Sequence, residues 1–317
     1  MKVLLTGSAG FIGFHTAQAL IARGDSVIGI DCLNEYYDIN LKLARNKILS
    51  KSKNYSFYKV NIADKEALFE VIKKEKPDKV INLAAQAGVR YSLTNPEVYE
   101  ESNLKGFLNI LEGCRQFKII TLIYASSSSV YGANTKLPFS EEDRVDTPIS
   151  LYAATKKSNE EMAFVYHHLF GINVTGLRFF TVYGPYGRPD MALFIFMKSI
   201  LEGKPISVFN NGNMKRDFTY VLDIVEGIVA SLDKGYSCEV FNLARGESQS
   251  LLDFIKAIET NVGFEAKKEF LPLQQGDVPV TSADISKAKK MLGYNPKVSI
   301  NEGVKNFVEW YKEFYKI

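Results

Sequence analysis

Gly7-Ser8-Ala9-Gly10-Phe11-Ile12-Gly13 is the stretch of this 317-residue sequence that decides its fold. It directly follows Lys2–Thr6 (KVLLT), which reads as a strand, and it opens a helical pattern over Ile12–Arg23. Glycines allow a tight turn and a close approach of the backbone to a pyrophosphate, and the helix N-terminus offers free N–H groups. The order of strand, glycine-rich turn and helix therefore predicts a dinucleotide-binding site.

The second predicted strand, Ser26–Asp31 (SVIGID), ends in a carboxylate 18 residues after Gly13. A carboxylate at this position accepts hydrogen bonds from the adenosine ribose hydroxyls and repels a 2′-phosphate. Asp31 therefore favours NAD over NADP as the cofactor.

Short apolar runs continue to alternate with helical patterns through the first half of the chain. Further strands are predicted at Tyr55–Val60, Lys79–Leu83 and Thr121–Ala125, and helices at Lys65–Lys76 and Asn95–Gln116. Strands that alternate with helices of ten or more residues indicate βαβ units and a parallel sheet. The polar, lysine-rich segment Lys42–Asn54 is expected to lie outside that sheet.

The regular alternation of strands and helices ends after Thr175–Phe180, where the glycine- and proline-rich segment Gly184–Asp190 (GPYGRPD) follows. Less regular elements come next, and a terminal helix is predicted near Asn301–Tyr315. We therefore predict an α/β protein with two parts. Residues 1–180 form a Rossmann-type doubly wound parallel sheet that binds NAD, and residues 181–317 form a smaller C-terminal α/β substrate domain. Some segments after residue 180 are expected to return to the NAD-binding part.

The bulk composition is that of a soluble globular protein, with 46% apolar and 24% charged residues. Lys plus Arg number 39 and Asp plus Glu number 36, so no basic excess points to a nucleic-acid or membrane partner. The three cysteines (Cys32, Cys114 and Cys238) are far apart, which disfavours disulfides and fits a reducing cytoplasm. No metal site, signal peptide or membrane-spanning run is predicted.

Tyr152 and Lys156 are four residues apart in a helical pattern, so their side chains share one face. A tyrosine is a poor base because its ordinary pKa is about 10, and a nearby ammonium favours the phenolate. Ser126–Ser129 follow a predicted central strand, which places hydroxyls at the carboxyl edge of the sheet, where doubly wound folds bind ligands. Together these residues predict a Ser–Tyr–Lys proton-transfer site.

The sequence resembles the extended short-chain dehydrogenase/reductase family over essentially its whole length, and within it the UDP-glucuronate 4-epimerases of the sugar-nucleotide epimerase branch. The motifs that carry the resemblance are TGSAGFIG (6–13), NLAAQAGVRYS (82–92), ASSSSVYG (125–132), SLYAATKKSNE (150–160), GLRFFTVYGPYGRPDMALF (176–194) and MKRDFTYVLDIVEGI (214–228).

The resemblance implies a bound NAD that is not consumed, a UDP-sugar substrate and a homodimer formed by the helices near Asn95–Gln116 and Ser150–Phe170. Tyr152, through Ser127, would take the proton of the sugar 4-hydroxyl while hydride passes to NAD and returns to the opposite face. The catalytic residues would be Ser127, Tyr152 and Lys156. The cofactor residues would be Gly7, Gly10, Phe11, Ile12, Gly13, Asp31, Asn34, Lys42, Asn61, Ile62, Ala84, Ala85, Gln86, Tyr152 and Lys156. The substrate residues would be Arg90, Ser127, Ser128, Ser129, Tyr152, Thr181, Arg188, Val208, Arg216, Gln274 and Asp277.

Two positions depart from the family pattern. Asn61 replaces the aspartate usual at the adenine position, where an amide can still accept and donate hydrogen bonds. Leu222 replaces an aspartate in the common YxDD run, which puts one structural hydrogen bond in doubt.

Three other functions stay open at this point. Relatives that form UDP-xylose or dehydrate their sugar carry an acidic residue after the serine or threonine, where this chain has Ser128 and Ser129, so these reactions rank low. Epimerases of UDP-glucose or UDP-N-acetylglucosamine differ in only a few pocket residues. A non-catalytic NAD-sensing protein on the same fold ranks lowest, because such proteins can lose Tyr152 or Lys156 and both are present here.

Overall fold

The computed structural model describes residues 1–274 and 277–317. Its strands are β1 (Lys2–Thr6), β2 (Ser26–Asp31), β3 (Tyr55–Lys59), β4 (Lys79–Asn82), β5 (Thr121–Ser127), β6 (Asn173–Phe179), β7 (Thr181–Tyr183), β8 (Ile206–Phe209), β9 (Lys215–Arg216), β10 (Phe218–Tyr220), β11 (Cys238–Leu243), β12 (Gln249–Ser250) and β13 (Lys268–Leu271). Its α-helices are α1 (Phe11–Ala22), α2 (Ile39–Leu49), α3 (Lys65–Glu75), α4 (Tyr91–Thr94), α5 (Glu97–Tyr99), α6 (Gly106–Gln116), α7 (Leu151–Phe170), α8 (Ala192–Leu201), α9 (Val221–Lys234), α10 (Leu251–Val262), α11 (Ser286–Leu292) and α12 (Ile300–Tyr315).

The main sheet of the described residues has seven strands in the order β11-β6-β5-β4-β1-β2-β3, and every neighbouring pair is parallel. The strand order reverses between β1 and β4, so a crevice opens at their carboxyl ends. The Thr6 hydroxyl donates to Asn82 Oδ1 at 2.6 Å, and the Ala84 N–H donates to the same hydroxyl at 3.2 Å. These bonds hold the two strand ends at the crevice, and the predicted doubly wound parallel sheet is confirmed.

Helices cover both faces of the sheet, which explains why its strands are almost continuously apolar. On one face, Phe14 of α1 and Ile224 of α9 belong to a core cluster that extends to α11. On the other face, Phe107 of α6 packs with Tyr124 of β5 in a cluster that includes α3 and α7 residues. The crevice therefore lies at the edge of a sheet that is packed on both faces.

The C-terminal part has a separate core built from α8, α10 and α12, in which Phe254 and Phe307 are fully buried. Strand β11 nevertheless joins the main sheet beside β6, so the chain crosses back after residue 180. The terminal helix α12 begins within one residue of its predicted start. The division of function near residue 180 stays a prediction. No helix in the described ranges combines the length and apolar character needed to cross a membrane.

Two segments have local structure that the sequence did not specify. The lysine-rich segment Lys42–Asn54 lies outside the sheet as predicted, most of it belongs to α2, and Arg45 within it is fully buried. The helix predicted over Asn95–Gln116 is present from Glu97 to Gln116, but it consists of α5, a π-helical turn at Glu100–Lys105 and α6. Such turns place side chains off the regular helical pattern, and periodicity alone does not reveal them.

Candidate active site

The glycine-rich turn between β1 and α1 has the geometry of an anion-binding site. Gly7 has a φ of 69°, and a Cβ on Gly13 would lie 2.0 Å from the Gly7 carbonyl oxygen, so side chains are excluded at both positions. Gly10 precedes α1, and no side chain caps the helix. The first N–H groups of α1 therefore stay available for a pyrophosphate, which fits a dinucleotide.

Asp31 lies at the end of β2, beside this turn. Its carboxylate accepts hydrogen bonds from the Ala9 N–H at 3.2 Å and the Leu33 N–H at 2.9 Å. Burial raises the pKa of Asp31, while these hydrogen bonds and the Lys42 ammonium oppose the rise. Lys42 itself donates to the Asn34 carbonyl oxygen at 2.7 Å. Asp31, Asn34 and Lys42 all line the crevice, where the Asp31 carboxylate could accept hydrogen bonds from ribose hydroxyls and the Lys42 ammonium could donate to them.

One continuous pocket brings the predicted cofactor and catalytic residues together at the crevice. Ser127 and Arg188 line it, together with every residue predicted to bind the cofactor. Sequence reasoning did not assign the apolar wall of this pocket, to which Phe180, Val182 and Met191 contribute. All three lie in the motif over residues 176–194, but they are far in sequence from the glycine-rich turn, and an apolar side chain in a motif gives no sign by itself that it lines a pocket.

Tyr152 and Lys156 lie on the first turns of α7, beside the carboxyl end of β5. Lys156 is buried, and its ammonium donates to the Ala125 carbonyl oxygen at 2.8 Å. Burial lowers the pKa of Lys156 to about 8. Burial also raises the pKa of Tyr152, and the nearby Ser127 hydroxyl and the Arg188 charge act in the opposite direction. This arrangement can hold and transfer a proton at the Tyr152 oxygen.

The serine run folds into a hydroxyl cluster at the same edge of the sheet. Ser127 ends β5, and a 3-10 turn over Ser128–Tyr131 brings the Ser129 hydroxyl to 2.5 Å from that of Ser127. The Ser127 side chain also accepts from the Ser129 N–H at 3.2 Å. Ser127 and Ser129 thus share one hydrogen-bonded unit beside Tyr152, with Ser128 between them in sequence.

A buried ion pair supports this edge, and the sequence reading did not find it. Glu160 lies one helical turn after Lys156 and accepts from the Ser126 hydroxyl at 2.6 Å. Arg178 on β6 donates to both Glu160 oxygens, at 2.9 and 2.8 Å. The pair fixes the end of β5 against α7 and so positions Ser127 relative to Tyr152.

The irregular helix before α6 provides a second support. Asn103, in the π-helical turn, accepts from the Gln86 N–H at 2.8 Å and donates to the Thr155 hydroxyl at 3.1 Å. The Tyr99 ring packs edge-on against Tyr152 at 6.1 Å between centroids. The loop after β4 is thereby tied to α7, a role that no sequence motif indicated.

Three of the remaining predicted substrate residues form a separate charged group. Asp277 pairs with Arg90 at 3.1 Å and with Arg216 at 3.7 Å. The Arg90 guanidinium also lies over the Phe209 ring at 5.2 Å. Gln274 adjoins this group, because its backbone carbonyl oxygen accepts from the Asp277 N–H. Thr181 lies on β7, and Val208 lies fully buried on β8. Two arginines close together suit a diphosphate.

The two departures from the family pattern have structural explanations. Asn61 accepts from the Ala63 N–H at 3.0 Å and donates to Glu101 at 3.2 Å, and it still lines the pocket. Leu222 is an exposed residue at the start of α9, whereas its neighbour Asp223 accepts the N–H groups of Lys297 and Val298. A carboxylate therefore remains to hold the segment before α12.

Comparison with known proteins agrees with this geometry. The family model described as GDP-mannose 4,6 dehydratase matches residues 4–307. The UDP-glucuronate 4-epimerase of Thermodesulfobacterium geofontis is 47% identical, over 98% of this chain and 96% of the relative.

Two solved structures superpose over 99% of this chain and 100% of their own chains. The UDP-glucuronic acid 4-epimerase of Bacillus cereus, in complex with UDP-glucuronic acid and NAD, is 38% identical with a TM-score of 0.94. The UDP-glucose 4-epimerase of Thermotoga maritima, with UDP-glucose, is 32% identical with a TM-score of 0.90. The chain therefore belongs to the GDP-mannose 4,6-dehydratase family of extended short-chain dehydrogenases/reductases.

Proposed function

We propose that this protein is an NAD-dependent UDP-glucuronate 4-epimerase, which interconverts UDP-glucuronate and UDP-galacturonate. The observation that carries the proposal is the position of Ser127, Tyr152 and Lys156 in the same pocket as the phosphate-binding turn. The similarity to epimerases solved with NAD and UDP-glucuronic acid supports it.

NAD fits the residues at the crevice. The uncapped start of α1 would hold the pyrophosphate, Asp31 would accept the adenosine ribose hydroxyls, and Lys156 would contact the nicotinamide ribose. Bound NAD would supply a hydride acceptor and donor for C4 of the sugar.

Proton transfer at the 4-hydroxyl is the task of the protein side chains. The Tyr152 oxygen takes the proton, and the Ser127 hydroxyl relays it. The Ser127 hydroxyl and the Arg188 charge favour the phenolate form of Tyr152 against the effect of burial on its pKa, and a charged Lys156 on the same helix face would act in the same direction. When the proton returns, Tyr152 donates it to C4–O again, so the side chains end in their starting state.

The sugar and its nucleotide would occupy the side of the pocket nearest the C-terminal part. Ser128, Ser129 and Arg188 would contact the sugar carboxylate, and Arg90 and Arg216 would hold the diphosphate, with Asp277 between them. Hydrogen bonds from the serine cluster would orient the carboxylate against loss of carbon dioxide once C4 is oxidised.

The first test is incubation of the purified protein with UDP-glucuronate, with products followed by chromatography and proton NMR. The proposal expects UDP-galacturonate, with no net NADH. Conversion of UDP-glucose or UDP-N-acetylglucosamine alone would favour a neutral-sugar epimerase, and a pentose product would show decarboxylation. Tyr152→Phe should abolish turnover, whereas Tyr166→Phe on the same helix should retain it. Tyr166 bonds to Glu112, outside the pocket.

We also propose a homodimer that works in the cytoplasm. Helix α7 exposes Phe164, Val165 and Leu169, and α6 exposes Leu108, which together offer an apolar surface to a second copy. The three cysteines are free thiols, which suits a reducing compartment. Sedimentation should give twice the chain mass, and the double variant Phe164→Glu/Leu169→Glu should sediment as a monomer. A monomeric wild-type protein would contradict the dimer.

A further inference from the structure

Arg45, on α2, is a buried cation without a carboxylate partner among the described residues. Its side chain is fully buried, and its hydrogen bonds go only to neutral groups. One end of the guanidinium donates to the Ala9 carbonyl oxygen at 2.9 Å and the Tyr37 hydroxyl at 2.7 Å. The other end donates to the carbonyl oxygens of Tyr186 at 2.7 Å and Gly187 at 3.3 Å. Arg45 therefore joins the phosphate-binding turn to a distant segment of the chain.

That segment, residues 184–190, is named here the sugar-side loop. Its backbone is irregular: Tyr186 has a φ of 56°, a value that residues other than glycine rarely adopt. Such a conformation persists only where surrounding contacts hold it. His15 provides one contact, with its Nε2 2.8 Å from the Pro185 carbonyl oxygen. Burial lowers the pKa of His15 to about 4, so the ring is neutral at pH 7.

The sugar-side loop is also packed from both parts of the protein. The Tyr186 ring contacts Phe14 of α1 at 4.7 Å and Trp310 of α12 at 4.8 Å between centroids. Trp310 is the only tryptophan of the chain and is 9% exposed. Its fluorescence therefore reports on the packing of this loop.

The loop carries Arg188 into the pocket. The Nε and Nη2 groups of Arg188 donate to Asp190 at 3.0 and 2.5 Å, and Tyr36 donates to the same carboxylate at 2.9 Å. The Nη1 group makes no hydrogen bond with any described residue, so it remains available to a ligand. Its position follows from the backbone at Tyr186 and Gly187, which Arg45 holds directly.

We propose that Arg45 is a positioning residue, which sets the place of the Arg188 guanidinium relative to the cofactor turn through the sugar-side loop. The inference rests on the proposed function, because it assumes that Arg188 contacts the UDP-sugar. Arg45 itself does not line the pocket and would touch neither ligand. Its planar guanidinium binds the Ala9 and Tyr186 carbonyl oxygens through two separate nitrogens, a geometry that the single nitrogen of a lysine ammonium does not reproduce.

The experiment compares wild-type protein with Arg45→Met and Arg45→Lys in saturating NAD. The matched control is Lys47→Met, which removes an exposed cation from the same helix. Both Arg45 variants should raise the KM for UDP-glucuronate about tenfold or more, the size expected when a hydrogen bond to a charged group is lost. The kcat should change less than the KM. An unchanged KM, or a loss confined to kcat, would overturn the proposal. If Arg45→Met does not fold, Arg45→Lys decides.

A double-mutant cycle separates positioning from general destabilisation. Adding Arg45→Met to Arg188→Met should raise the KM little further, because both changes remove the same contact. Multiplicative effects would show that Arg45 does not act through Arg188.

Acrylamide quenching of Trp310 tests the loop without any turnover. Arg45→Met should increase quenching relative to Lys47→Met, and equal quenching would overturn the proposal. If wild-type protein does not convert UDP-glucuronate, the proposed function fails, while the quenching result still decides whether Arg45 holds the loop.

Discussion

Replacing Arg178 by methionine should destabilise the protein far more than the loss of one surface ion pair. The guanidinium of Arg178 and the carboxylate of Glu160 belong to side chains that are 4% and 6% exposed. Two hydrogen bonds join them, at 2.9 and 2.8 Å. Burial alone would lower the pKa of Arg178, but the Glu160 carboxylate outweighs this effect and raises it. Methionine preserves much of the side-chain length and removes only the charge and the donors.

The magnitude follows from what remains after the substitution. Glu160 would stay buried with the Ser126 hydroxyl and with only the partly exposed Lys157 ammonium, 3.9 Å away, as a cation. Breaking a buried pair from one side costs about 3–5 kcal/mol, and Lys157 places the expected cost at the lower end of that range. Replacing both partners leaves no isolated charge, so the variant Glu160→Met/Arg178→Met should recover most of the free energy of unfolding. Glu160 also holds the Ser126 hydroxyl, and Ser126 is bonded to Ser127 in the chain. A displaced Glu160 would therefore shift Ser127, so we also expect a lower kcat for the single variant.

Urea unfolding followed by circular dichroism measures the free energy of unfolding of each variant. Arg115→Met is the matched control, since Arg115 makes a similar two-point contact with Glu112 on the surface and should have a much smaller effect. A cost for Arg178→Met no larger than that of the surface control would refute the reasoning. So would a double variant that is less stable than Arg178→Met.

Three further predictions concern pH and cofactor choice. Lys156→Met should move the rising limb of the pH–rate profile to higher pH by about one unit or more, because the ammonium favours the Tyr152 phenolate; an unmoved limb in kcat/KM would contradict this. His15 has its pKa lowered by burial from 6.5 to about 4, so the unfolded chain binds a proton that the folded state excludes. As the pH falls from 6.5 to 4, the free energy of unfolding of the wild-type protein should therefore decrease by roughly 3 kcal/mol more than that of His15→Gln, measured by urea unfolding. Parallel pH dependences of the two free energies would contradict this prediction. Asp31→Asn should raise the affinity for NADP relative to NAD about tenfold or more, measured by calorimetric titration, because a carboxylate repels the 2′-phosphate; an unchanged ratio would count against that role.

The sequence alone determined the features that depend on neighbours along the chain. The turn Gly7–Gly13 requires glycine because of its own backbone geometry, and the spacing of Tyr152 and Lys156 follows from one helical turn. Apolar strands alternating with helices indicate a parallel sheet, and the carboxyl ends of its strands meet at one edge. The fold, the position of the glycine-rich turn and the placement of Tyr152 and Lys156 on one helix could therefore be predicted before any coordinates, whereas the chemical roles of these residues stay predictions.

Only the tertiary structure decided which polar residues act from inside the protein. Arg45 lies in a lysine-rich stretch that looks like a solvated surface, yet its fork is buried among carbonyl oxygens of two distant segments. In the sequence, Glu160 looks like an ordinary helix residue and Arg178 like an ordinary strand residue. Asn103 lies in a π-helical turn that departs from helical periodicity. Their roles depend on partners 17 to 141 positions away along the chain. Residues so far apart in sequence meet only when the sheet and its helices have packed, which is why no local pattern reveals these contacts.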